Sequence, residues 1–85
     1  SATCDEVRKI GEIWSSILWE VRHRMITRLG WADGNRKTLQ WVTDGMKLAP
    51  LGPTLVSERN AILAAVQASG TPADLADFWA GFAAR

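Results

Sequence analysis

Residues 5–29 read DEVRKIGEIWSSILWEVRHRMITRL, and within them Val7, Ile10, Trp14, Ile17, Leu18, Val21 and Met25 recur at steps of three and four. That is the period at which side chains return to one face of an α-helix. Gly30 follows, placed as a left-handed C-terminal cap would be. The spacing therefore predicts one long amphipathic helix, and everything after it must be packed around that rod.

Beyond Gly30, Trp31-Ala32-Asp33-Gly34 predicts a turn, with Asn35 capping a second helix that carries Leu39, Val42, Met46 and Ala49 on one stripe until Pro50 stops it. Leu51, Gly52 and Pro53 predict a short stiff connection. Thr54 then caps a third helix with Leu55, Arg59, Ile62, Val66 and Ser69 aligned, closed by Gly70. Thr71-Pro72-Ala73-Asp74 offers a cap residue, a proline suited to the first helical position and an acid at the third, the pattern of a capping box. Leu75, Phe78, Trp79 and Phe82 follow at core spacing. No strand-like alternation competes with these periods. The fold class predicted is all-α, a compact cluster of about four helices forming a single unit over residues 1–85.

The first helix carries more apolar surface than one stripe can hold. Glu12, Trp19 and Ile26 lie at seven-residue steps, about 140° around the helix from the Trp14 and Val21 line. A helix apolar on two sides is either central in its own domain or faces a second surface. Both readings stay open: the helix is the middle of the cluster, or Trp19 and Ile26 dock on a partner lobe. On the second helix Gly45 lies between Trp41 and Leu48, where a missing side chain lets another backbone approach.

Composition narrows the function classes. Ten Lys and Arg against nine Asp and Glu leave a formal charge of +1, which argues against the electrostatic footprint of nucleic-acid binding. The basic cluster Arg22, His23, Arg24, Arg28, Arg36 and Lys37 reads as solvated helix faces. No apolar run reaches the roughly 18 to 20 residues of a membrane span. Hydrophobic residues are 47% of the chain, with five Trp, and a chain this short buries only about two-thirds of its unfolded surface. A single cysteine, Cys4, excludes an internal disulfide.

A catalytic zinc takes three protein ligands, two of them commonly histidines one turn apart on a helix, and this chain has one histidine, His23, between Arg22 and Arg24. No metal ligand is assigned. Ser15, Ser16, Ser57 and Ser69 fall in helical patterns with no histidine placed to activate them. Glu12 and Glu20 are separated by about 12 Å of helix, too far for a cooperating carboxylate pair. On its residues alone the domain is non-catalytic.

From Glu6 through Ile10-Gly11-Glu12-Ile13-Trp14 to Trp19-Glu20-Val21, the chain resembles the helix that opens the last stretch of fungalysin catalytic domains. Leu39-Gln40-Trp41-Val42-Thr43-Asp44-Gly45-Met46-Lys47-Leu48, Pro53-Thr54, Arg59-Asn60-Ala61-Ile62-Leu63, Phe78-Trp79 and Phe82-Ala83 resemble the same family in the same order. The resemblance implies the C-terminal helical portion of a secreted, thermolysin-like zinc metalloendopeptidase. This portion would form cleft wall and core, inactive alone, with zinc held by an upstream H-E-x-x-H helix and a further glutamate. It implies no cofactor in this chain and zinc in the full-length protein. The partner is then the remaining peptidase lobe or another protein, through Trp19 and Ile26, with neither nucleic acid nor membrane involved. Trp14, Ile17, Leu18, Val21, Leu39, Val42, Ile62, Phe78 and Trp79 would be structural.

One position of this resemblance touches chemistry. Where the family places a Val-His pair, whose histidine hydrogen-bonds the developing oxyanion, this chain has Val7-Arg8. Arg8 is thus the catalytic candidate, although its permanently charged fork reproduces neither a histidine's reach nor its titration. A solvent-facing arginine is the alternative at that position. Leu51 and Ala76 stand where many family members have cysteines; losing such a crosslink costs about 2 to 5 kcal/mol. The other alternative is a non-catalytic helical interaction module that reuses the scaffold and binds protein through Trp19 and Ile26.

Overall fold

A computed structural model describes residues 3–48 and 55–84, the side chain of Val7 excepted. They form four helices: α1 (Cys4–Leu29), α2 (Trp31–Leu48), α3 (Leu55–Ser69) and α4 (Pro72–Ala83). No strand occurs among the described residues. The helices form a ring in which α1 packs on α2 and α4, and α3 packs on the same two. The expected Pro50 stop, the Leu51-Gly52-Pro53 connection, the Thr54 cap and the Ala49 stripe position lie outside the described residues, as does Leu51 in its comparison with a family cysteine.

The core lies inside this ring. Ile17, Val21 and Met25 of α1 meet Trp41 of α2, Ile62, Leu63 and Val66 of α3, and Phe78 of α4. Val21, Met25, Val66 and Phe78 are fully shut off from solvent, each stabilising the fold by about 1.5 to 3 kcal/mol. The Trp41 and Phe78 rings cross edge to face, 5.8 Å between centroids, and Trp14 and Phe82 repeat the arrangement at 5.9 Å where α1 meets α4. The buried Trp41 Nε1 donates to Ser69 Oγ at 2.9 Å, so no indole N–H is stranded in the core.

Two expectations about α2 fail together. Residues 31–34 are not a turn: α2 begins at Trp31, and Gly34 N–H donates to the Gly30 carbonyl at 2.9 Å as its first backbone bond. Asn35 is therefore no cap; its Oδ1 accepts from Arg22 Nε at 2.7 Å. Gly30 does terminate α1, donating to the Ile26 carbonyl at 2.8 Å, and its φ is positive at 91°, but its ψ of 165° takes it outside the left-handed helical region. That conformation suits glycine alone and turns the chain straight into α2.

The core face of α2 is also rotated from the expected stripe. Gly34, Thr38, Trp41 and Gly45 are buried, whereas Leu39 is 56% exposed and Met46 is exposed with it. Close packing explains the rotation. A Cβ on Gly34 would lie 2.6 Å from Ile26 Cα, and one on Gly45 would lie 2.7 Å from Ile62 Cα. The smallest residues of α2 bring its backbone against α1 and α3, so its larger apolar residues point elsewhere. The close approach expected at Gly45 is present.

At α4 the capping box is complete. Asp74 N–H donates to Thr71 Oγ1 at 3.2 Å, and Thr71 N–H returns a bond to Asp74 Oδ2 at 3.0 Å. Phe78 enters the core, but Trp79, expected beside it, is 48% exposed. Its ring is covered by the Arg59 guanidinium, 5.6 Å from the centroid. On α1, Ile17, Val21 and Met25 are buried as the first stripe requires, while every described side chain of residues 4–13 is exposed.

Candidate functional site

Arg8 lies on this uncovered first third of α1. Its guanidinium donates to Glu12 Oε1 at 3.1 Å and approaches Asp5 Oδ1 at 3.6 Å, an arrangement of i+4 and i−3 pairs on the outer face of the helix. Such exposed pairs contribute little to stability, but they hold the guanidinium along the helix. His23 is also exposed. Among the described residues no three His, Cys, Asp or Glu side chains come together as a metal site.

What the structure brings together instead is an apolar face. Trp19 is 68% and Trp31 64% exposed, and the Arg22 guanidinium lies between them, 5.1 Å from the Trp19 ring and 5.4 Å from the Trp31 ring. Asn35 fixes that guanidinium through Nε, making a rigid cation–π stack at the surface. The sequence predicts a turn at Trp31, which gives no reason to expect it on this face. The i,i+3 spacing of Trp19 and Arg22 is the signal that remained available.

Ile26, expected to share the docking face with Trp19, is only half-buried, because Gly34 of α2 rests against its backbone while its side chain still borders a shallow depression with Trp19 and His23. Beside that depression a groove of about 520 Å³ runs between α1 and α2, bordered by Leu18, Trp19, Arg22, Leu39 and Val42. It continues across Leu18 and Val42 into a second of about 420 Å³ toward α3.

The basic cluster divides. Arg22 is committed to its stack, and Arg28 is committed to α4: it donates to Asp74, and through Nε to Asp77 Oδ2 at 2.8 Å. Asp74 is 1% exposed. Burial works against its charge, yet the hydrogen bonds from Arg28 and from the Thr71 N–H, with the cap geometry, outweigh that and hold the carboxyl below its ordinary value. The same bonds from Asp74 and Asp77 raise Arg28. Arg28 is thus a structural clamp rather than part of a solvated basic face.

Residues 1–85 match the fungalysin metallopeptidase (M36) family throughout. The chain belongs to that family. Among fungalysin relatives, it is 38% identical to an extracellular metalloproteinase of Pyrenophora tritici-repentis, over 93% of this chain and 14% of the relative. It is 37% identical to extracellular metalloproteinase 9 of Coccidioides posadasii, over 94% of this chain and 15% of the relative. The extracellular metalloproteinase MEP of Leptosphaeria maculans is 37% identical over 93% of this chain. This fungalysin chain therefore spans about one-seventh of the length of the curated relatives it matches. No solved structure matches it.

Proposed function

We propose that this chain is the C-terminal helical portion of a secreted fungalysin-type zinc metalloendopeptidase, one subdomain of a larger catalytic domain. It forms cleft wall and core and hydrolyses no peptide alone. The match over residues 1–85 carries this reading. Zinc and the water it activates belong to the remaining lobe, in keeping with a family of metallopeptidases. Secretion follows from the extracellular relatives. The uncovered third of α1, Trp19, and the exposed edge of Ile26 are the surface offered to that lobe.

Expression of the chain with its upstream coding sequence tests the reading. The longer polypeptide is expected to hydrolyse casein and to lose that activity to a zinc chelator, and the 85-residue chain to show none. A longer polypeptide without an H-E-x-x-H helix or chelator-sensitive activity would support the second reading, a non-catalytic interaction module binding protein through Trp19 and Ile26. The pairing of Arg8 with Asp5 and Glu12 favours that second reading, because it engages on the helix surface the side chain that stands where the family has its oxyanion-binding histidine.

A further inference from the structure

Glu58 is the anomaly of the fold. It is 9% exposed, and its Oε1 is shut off from solvent with no hydrogen-bond partner among the described residues. It makes no ion pair among the described residues. The neighbouring cation, Arg59, is turned away, stacked on Trp79 and donating to Asn60 Oδ1 at 3.1 Å. Glu58 borders the groove of about 420 Å³ between α1, α2 and α3, whose other walls, among them Trp14, Leu18, Val42, Met46 and Ile62, are apolar. A lone carboxyl group in an apolar wall is unfavourable unless a donor reaches it.

We infer that this groove receives an apolar protein segment carrying one lysine or arginine, whose cationic head pairs with Glu58 while its aliphatic neighbours cover Leu18, Val42 and Met46. Charge complementarity selects this occupant. An anionic or wholly apolar segment would leave Glu58 unpaired at the moment water is expelled, whereas a long basic side chain supplies both an aliphatic stem and a charged tip. Met46 is 53% exposed at the groove's rim, and a flexible thioether adapts to such an occupant. The α1/α2/α3 groove adjoins the face around Trp19 at Leu18 and Val42, but Glu58 borders only this groove, so a charge preference that depends on Glu58 is read separately from docking at Trp19.

The test uses the 85-residue chain and a short amphipathic leucine peptide with one central lysine, compared with the same peptide carrying glutamine or glutamate there. Binding is read from the Trp14 and Trp19 indole signals in nuclear magnetic resonance. The lysine peptide is expected to bind about tenfold more tightly than the glutamine peptide, shifting Trp14. That preference is expected to vanish in Glu58→Gln. Glu58→Leu guards against misfolding, since filling the groove with an apolar side chain is expected to raise Tm while also removing the preference. Equal binding of the three peptides, a lysine preference that survives Glu58→Gln, or self-association of the chain through the groove unchanged by Glu58→Gln would each overturn the inference.

Discussion

Arg28, in the last turn of α1, and Asp74, at the third position of α4, are joined across 46 residues of sequence, and Asp77 takes the second edge of the same guanidinium. The arrangement couples the end of the longest helix to the start of the shortest. Removing Arg28 leaves Asp74, 1% exposed, without its counter-charge. Arg28→Ala is expected to destabilise the chain by about 2 to 3 kcal/mol, the lower part of the buried-pair range because the Arg28 side chain remains one-third exposed. Urea unfolding followed by circular dichroism measures it.

The same pair sets a pH dependence. The Asp74 carboxyl is lower in the folded chain than its ordinary value near 3.8, so the folded state holds its proton less tightly than the unfolded state. Its stabilisation is complete above that ordinary value and is lost as pH falls through the lower folded value. Tm is expected to be level from pH 7 to about 5 and to fall below about 4, with Asp74→Asn both less stable at neutral pH and flatter in the acid range.

Gly45 gives a packing prediction. A methyl group there would lie 2.7 Å from Ile62 Cα, against backbone that cannot swing aside. Gly45→Ala raises helix propensity, but the overpacking is expected to win, at a net cost of about 1 to 3 kcal/mol. A control at Gly11, where an added Cβ meets nothing within 4 Å, is expected to be neutral or slightly stabilising in the same melts.

These contrasts show what was legible in the sequence. The α4 cap was, because Thr71, Pro72 and Asp74 act on backbone groups within one turn. The Gly45 approach was too, because an absent side chain on an apolar helix invites a neighbour. The start of α2 was not, since Asp33 and Gly34 carry turn chemistry and only the packing of Gly34 on Ile26 overrides it. Helical period also fails to choose between two adjacent apolar lines, so it puts Leu39 and Trp79 on core stripes although both are exposed. The Arg28 clamp spans helices with no local signal, and Glu58 lies in the first turn of α3, where an acid is favoured by the helix dipole and nothing local marks it as buried.

Arg8 yields a prediction about chemistry. Because Asp5 and Glu12 hold its guanidinium on the helix surface, Arg8→Ala in the longer active polypeptide is expected to leave kcat within about twofold. If Arg8 stands at the position of the family's oxyanion-binding histidine, as proposed, Arg8→His is expected to raise kcat by about tenfold or more, as adding an oxyanion donor does. A large kcat loss in Arg8→Ala would assign the oxyanion role to Arg8 itself.

On the function proposed for it, this fungalysin chain supplies scaffold to a metal site built elsewhere. The zinc content of the purified 85-residue chain after exposure to excess zinc and desalting, read by atomic emission, tests that role. The expected result is no retained zinc. One tightly held zinc per molecule would contradict the account.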